Sequence, residues 1–269
     1  MRIHSKSFQM WWAACIGLAL LGYAFVVEPN WLEVNIQEVK ATAAVGRIRV
    51  AQISDLHLQG FGRREATIIE QLQSIKPDLI IFSGDVIDRA DALPALDGFL
   101  SAIGSTPKVA VLGNWEYWGD VDLGALRQLY EEKHGMKLLV NQVASYQVGG
   151  RNLDVVGMDD FTAGMPDQKL LDRRPSRSTA ILIEHSPGFF EETSVVNLPG
   201  KFDLCLSGHT HGGQITFFGK PVWTPRGSGA FYSAFYQTTH CPLYVSRGLG
   251  TSVLPARFGA RPEVAVFDL

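Results

Sequence analysis

Cysteine is scarce in this 269-residue chain: only Cys15, Cys205 and Cys241 occur, and no two of them fall at CxxC spacing. That excludes a cysteine zinc knuckle and a dithiol redox motif. The three thiols are expected to be buried or idle, with a Cys205 to Cys241 bridge as the alternative. Charge is also sparse. Charged residues make up 19% of the chain and the net charge is −3, so no broad basic field exists to hold nucleic acid, and no such partner is expected. Low-complexity tracts and internal repeats are missing, and 46% of the residues are hydrophobic, which excludes a disordered or collagen-like chain. At this length one domain can bury a core of its own.

One long run is free of charge. Residues 10–27 (MWWAACIGLALLGYAFVV) are uncharged and Glu28-Pro29 closes them. At about 1.5 Å per residue such a helix nearly crosses a hydrocarbon layer of about 30 Å, with Trp11, Trp12, Tyr23 and Trp31 as interfacial anchors. A single membrane span is expected. The alternatives are a signal peptide cleaved near Gly22-Tyr23-Ala24 and a buried core helix. Arg2 and Lys6 precede the run, whereas Glu28, Glu33 and Glu38 follow it, which places the tail in the cytoplasm and the folded domain outside. The expected organisation is a tail and anchor over residues 1–34, a polar linker over 35–47 and a domain over 48–269.

Within that domain, apolar segments rich in β-formers recur at 48–53, 79–82, 109–112, 153–156, 180–183, 204–206, 243–245 and 264–267. Helical patterns lie between the early ones, at 65–74, 93–102 and 124–134. This order predicts an α/β fold of layers around a pair of mixed sheets. Open sheets of this kind place ligand sites at strand ends.

Five of those ends carry ligating side chains. The first strand runs into Asp55 and His57, the second into Asp85, the third into Asn114, the fourth into Glu184-His185, and the fifth into His209 and His211. A charged group next to a buried strand is unfavourable unless it is paired or binds metal. Any one of these residues reads as a surface or capping group, but four of seven histidines falling in one pattern reverses that reading. His4, His134 and His240 are assigned no role. Asp, Asn and His without Cys suit Mn, Fe, Zn or Co. Two ions about 3.5–4 Å apart can share a carboxylate, activate a bridging water and neutralise an in-line displacement at phosphorus. Asp85 is the natural bridge.

The ordered blocks SDLHL, SGDVID, GNWEYW, EHSP and GHTHGGQ resemble those of calcineurin-like metallophosphoesterases. The resemblance implies a layered α-β-β-α fold with two mixed sheets. It also implies one metal on Asp55, His57, Asp85 and His211 and another on Asp85, Asn114, His185 and His209, with Asp85, Asn114 and His209 as the catalytic candidates. The preceding span, EPNWLEV, SRGLG and RPEV look like the membrane-anchored YaeI/YkuE-type branch of phosphodiesterases and phosphatases. Gly84, Gly113, Gly208, Gly212 and Gly213 suit tight turns after strands. Arg247 faces either the phosphate or solvent, and Asp88, Glu116, Asp159 and Asp160 are expected to support ligands or to be solvated, not to ligate.

One position departs from the family pattern. The residue after the metal-bound asparagine is commonly a proton-donating histidine, and here it is Trp115. Indole has an N–H but no transferable proton near neutral pH. The expected preference therefore moves towards diesters and pyrophosphates, as in relatives that cleave UDP-diacylglucosamine and also lack that histidine. A UDP-linked lipid would be met on the cytoplasmic face, in conflict with the charge pattern. The alternative is a membrane-tethered metal-binding protein without activity. Aromatic residues at 217–218, 223, 231–232 and 235–236 could flank a lipid-like substrate or pack in the core.

Overall fold

All eight apolar runs form strands in a computed structural model, which describes residues 3–40, 46–148, 150–173, 179–192, 202–238 and 241–269. In chain order the elements are α1 (Ile3–Gly22), β1 (Glu33–Glu38), β2 (Arg49–Ile53), α2 (Arg63–Ile75), β3 (Leu79–Ser83), α3 (Leu93–Ala102), β4 (Lys108–Val111), α4 (Asn114–Trp118), α5 (Leu123–Gln128) and β5 (Lys137–Leu138). There follow β6 (Gln142–Val148), β7 (Arg151–Gly157), β8 (Thr179–Ile183), α6 (Phe189–Glu192), β9 (Leu204–Ser207), β10 (Thr216–Phe217), β11 (Lys220–Pro221), β12 (Ala234–Gln237), β13 (Pro242–Val245) and β14 (Glu263–Asp268). Arg2, His240 and residues 41–45 of the expected linker lie outside the described residues.

The strands form two six-stranded mixed sheets, ordered β1-β14-β2-β3-β4-β5 and β12-β13-β9-β8-β7-β6. β2 to β5 run parallel, as do β7, β8, β9 and β13. Strand alternation decides the layers. Along β3, Leu79 and Ile81 face the second sheet, where they meet Leu153, Val155, Ile181 and Leu204. Ile80 and Phe82 face the helices and pack with Ile68, Leu72, Leu96 and Phe99. A third apolar cluster, including Leu182, Val245, Phe189 and Phe190, covers the far side of the second sheet. Burial on both faces explains why these strands read as continuous apolar runs. The expected α-β-β-α layering is therefore present.

Local signals set the helix bounds. Glu65 reaches back to accept a hydrogen bond from Gly62 N–H at 2.9 Å, and Lys76 ends α2 in a left-handed conformation. The helix expected at 124–134 splits into α5 and a π-helical turn over Leu129–Lys133.

Two expectations need correction. The stretch expected as linker contains most of β1, which pairs in parallel with β14 from Glu33↔Glu263 to Glu38↔Asp268. Only Trp31 and Leu32 separate it from the helical run that ends at Asn30, so the apolar helix joins the sheet edge without slack. The second correction concerns the thiols. Cys205 and Cys241 form a disulfide with Cα atoms 5.8 Å apart, because β9 and β13 are neighbours and Leu243 pairs with Cys205. Cys15 is free and exposed.

The helical stretch Phe8–Asn30 is long and apolar enough to cross a membrane, and it is almost entirely exposed. Its C-terminal end is fastened to the domain. Arg257 N–H donates to Ala24 O at 2.9 Å, Ala260 N–H donates to the buried Glu28 carboxylate at 2.6 Å, and the Tyr23 and Phe258 rings meet edge to face.

Candidate metal centre

Every strand-end residue singled out in the sequence arrives at one place. The C-terminal ends of parallel β2, β3 and β4 in one sheet meet those of β8 and β9 in the other, and the following loops project Asp55, His57, Asp85, Asn114, His185, His209 and His211 into the crevice. All seven are buried. Asp55, His57 and His211 form one group, and Asp85, His185 and His209 another; within each group the potential ligand atoms lie within 4.8 Å of one another. Asn114 joins the second group, its Oδ1 2.7 Å from His209 Nδ1.

The backbone is strained to achieve this. Asp55, His57, Asp85, His209 and His211 all have φ between 45° and 69°. A left-handed conformation costs a non-glycine residue roughly 1–2 kcal/mol, although Asp and His tolerate it better than most. Five such residues in one crevice mark a place where geometry overrides local preference. Gly84 shows why two of the loops need glycine: it has φ +95, and a Cβ there would meet His185 Nδ1 at 2.5 Å. At Gly113 a Cβ would collide with the Asp85 carboxylate.

Hydrogen bonding fixes which imidazole nitrogens face the crevice. His57 Nδ1–H donates to Asp88 Oδ1 at 2.5 Å, which turns Nε2 towards His211 Nε2, 3.0 Å away. His185 Nδ1–H donates to Ser83 O at 2.7 Å, and its Nε2 lies 3.1 Å from Asp85 Oδ2. His209 Nε2–H donates to Arg226 O, leaving the Nδ1 lone pair against the carbonyl oxygen of Asn114. At His209 a lone pair opposes the Asn114 carbonyl oxygen at 2.7 Å, a pairing that repels unless a cation lies beside both atoms. The donor set thus fits divalent metal.

Other buried groups hold the loops. Glu116, on α4, accepts from the N–H groups of Asp85, Val86 and Gly113 at 3.1, 2.6 and 2.8 Å, tying the loops after β3 and β4 together. Burial and the Asp85 charge push its carboxyl up to about 7. At Asp85 burial acts in the same upward direction, but His185, His57 and the Trp115 N–H outweigh it and hold the carboxyl at about 2. Asp55 accepts from Ser54 Oγ–H at 2.5 Å and from His209 N–H at 2.8 Å, linking the two sheets.

Beside the crevice lies a cavity of about 460 Å³. Asp85, Asn114, His209 and His211 contribute to its lining, while Trp115, Trp118, Val222, Trp223, Val253 and Leu254 make it largely apolar. The Trp115 ring stands edge-on to His57 with centroids 6.1 Å apart, and its backbone N–H donates to Asp85 Oδ1 at 2.8 Å.

The calcineurin-like phosphoesterase family model matches residues 48–213, which hold all seven of these side chains. The chain belongs to that family. The metallophosphoesterase YkuE of Bacillus subtilis is 32% identical over 92% of this chain and 89% of its own length. Phosphodiesterase YaeI of Escherichia coli is 27% identical over 92% of both. Among solved structures, GAP50, the anchor in the inner membrane complex of Plasmodium, matches at 12% identity with a TM-score of 0.51 over 84% of this chain and 82% of that one, a likeness of fold. The protein is accordingly a hydrolase of phosphoester bonds with a candidate site for two divalent metals.

The remaining candidates of this phosphoesterase separate cleanly. Arg247 does not face the crevice; it pairs with Glu263 at 2.7 Å and Glu33 at 3.1 Å, tying β14 to β1. Asp160 accepts from Thr162, Ala163 and Ser186, and Asp159 from the Tyr117 hydroxyl, so both brace a loop beside the site. His134 bonds to Asp97. Phe235 packs on Tyr244 and Phe267, and Phe231 on Tyr236, whereas Trp223 lines the cavity. Sequence reasoning missed Arg257, a fully buried guanidinium that donates to the carbonyls of Gly250, Ala260 and Arg247 and so fixes the loop beyond β13. Nothing in its sequence context signalled this.

Asp88 orients His57 and is partly accessible, so it can be removed without emptying the core. Asp88→Ala is expected to weaken metal affinity about 10- to 100-fold, measured by competition with a chelator, while the melting temperature changes little.

Proposed function

We propose that this phosphoesterase cleaves phosphodiester or pyrophosphate linkages in lipid-linked or envelope substrates, held by α1 in a membrane with the catalytic domain on the extracytoplasmic side. Asp55, His57, Asp85 and His211 would hold one divalent ion, and Asp85, Asn114, His185 and His209 the other, with Mn, Fe, Zn or Co suited to the donors. Such ions supply Lewis acidity and activation of water for an in-line attack at phosphorus. The chain's own residues do the rest. Asp88 and Ser83 orient imidazoles, Glu116 fixes the loops that carry Asp85 and Asn114, and Trp115, Trp118 and Trp223 exclude water and offer apolar surface.

The observation that carries the substrate preference is Trp115 on the cavity wall, whose indole has no transferable proton for a departing alkoxide. A phosphate leaving group, with a pKa near ~6, departs without one. The Escherichia coli relative, a phosphodiesterase, agrees. The Cys205–Cys241 disulfide supports an oxidising compartment, in line with acidic residues following the apolar run. The test is a rate panel on the full-length, metal-loaded protein with an activated diester, a UDP-linked diacylated sugar and an alkyl phosphomonoester. Diester or anhydride turnover should exceed monoester turnover by about 10²-fold or more. Equal efficiency on the monoester overturns the preference, and a reporter fused after Leu269 reads the side of the membrane.

A further inference from the structure

The exposed apolar residues next to the cavity are gathered where α1 meets the domain. Phe218 is fully exposed at the tip of the β10–β11 turn with φ +52, and Val253 is 92% exposed with φ +63. A β-branched residue at positive φ is a genuine outlier, and a turn tip of this shape ordinarily takes glycine or asparagine. The Val253 tip is not loose. Gln214 donates to Leu254 O and Ala256 O and accepts from Ser252 N–H, clamping the loop that carries Val253. Phe217, Val222, Trp223 and Leu254 are exposed around the two tips.

This patch is continuous with the end of the apolar helix. Phe217 packs on Phe258, whose ring packs on Tyr23, and the neighbouring Arg257 N–H bonds Ala24 O. A second opening, of about 520 Å³, runs from Phe25, Pro29 and Asn30 at that end to His57. The Thr251–Pro255 loop therefore borders both approaches to the metal centre, and the second of them reaches the end of the helix. Lys220 is exposed in the same hairpin and Arg226 in the segment that follows β11, and Arg261 stacks on Trp31 at 4.1 Å, placing cations and an indole where headgroups would lie.

We infer that the tips Phe218 and Val253 insert into the lipid interface beside α1, so that the domain lies against the bilayer with its cavity open to lipid. The occupant of the patch is the membrane surface, and the inference rests on α1 being an inserted anchor. Rigid fastening at Glu28 and Tyr23 and the absence of slack before β1 fix the domain's tilt. A phosphorylated lipid then reaches the metals by lateral entry, its apolar chains passing Val253, Leu254 and Trp223.

The test places the full chain in nanodiscs of phosphatidylcholine and phosphatidylglycerol, with a polarity-sensitive fluorophore on native Cys15, or on Phe218→Cys or Val253→Cys in a Cys15→Ala background. The Cys205–Cys241 disulfide stays closed. Doxyl-labelled lipid should quench positions 15, 218 and 253 several-fold more than a label at Gln128→Cys, which sits on α5 near the opposite sheet edge. Quenching at Cys15 with silence at 218 and 253 overturns the inference alone, as would 218-to-218 crosslinking between copies. Silence at all three overturns the anchor as well. Phe218→Asp should also slow turnover of a bilayer-resident diester several-fold and leave a soluble diester unaffected.

Discussion

Asp85→Ala is expected to reduce metal-dependent hydrolysis of an activated phosphodiester by at least ~10³-fold. Metal chemistry at phosphorus contributes several kcal/mol of charge stabilisation, and each ~1.4 kcal/mol is a factor of ten in rate. Asp85 Oδ2 lies 3.1 Å from His185 Nε2 and 3.9 Å from His57 Nε2, so it faces both candidate metal groups, while Oδ1 takes the Trp115 N–H. Its carboxyl, held at about 2, is ionised at any working pH. Alanine at φ +52 adds backbone strain of roughly 1–2 kcal/mol, so Asp85→Asn is the companion variant. It keeps the shape, the tolerance of a left-handed backbone and an acceptor for Trp115, but it lacks the charge. Both variants should lose activity and bound metal, with Asp85→Asn nearer the natural melting temperature. A rate within about tenfold of the natural protein, with Mn in excess, would remove Asp85 from the bridging role proposed for it.

The readable part of this molecule was the part where one residue type repeats for one reason. Strands buried on both faces must be apolar throughout, so β2, β3, β4, β8 and β9 announced themselves, and the candidate ligands beyond them stood out against those runs. β1 was hidden because its EVNIQE sequence is that of an edge strand with mixed exposure; only pairing with β14 makes it a strand. β12 was hidden likewise, pairing with β13 along a half-exposed edge. The disulfide stood only as the alternative to buried or idle thiols, because its two cysteines are 36 residues apart and meet only after β9 and β13 become neighbours. Asp88 and Glu116 were visible as acids near ligands, yet their roles depend on which nitrogen or backbone N–H they reach. No spacing rule encodes that.

Trp115→His is expected to raise turnover of an alkyl phosphomonoester by about 10²-fold while changing pyrophosphate cleavage little. The leaving alkoxide resembles hydroxide, whose parent acid has a pKa of about 15.7, so a positioned proton donor matters most for that substrate. The substitution is geometrically mild. Residue 115 anchors Asp85 through its backbone N–H, which histidine retains, and its side chain already borders the cavity shared with Asp85, Asn114 and His209. Removing the indole also enlarges that cavity and exposes the edge of His57, so binding of a bulky apolar substrate should weaken. The two effects separate in kinetics: the donor raises kcat for the monoester, whereas the lost apolar wall raises KM for a lipid-linked diester. Trp115→Phe keeps the wall without supplying a proton and should leave both substrates near their natural rates. If Trp115→Phe and Trp115→His gave the same monoester kcat, proton supply at this position would not be what sets the preference.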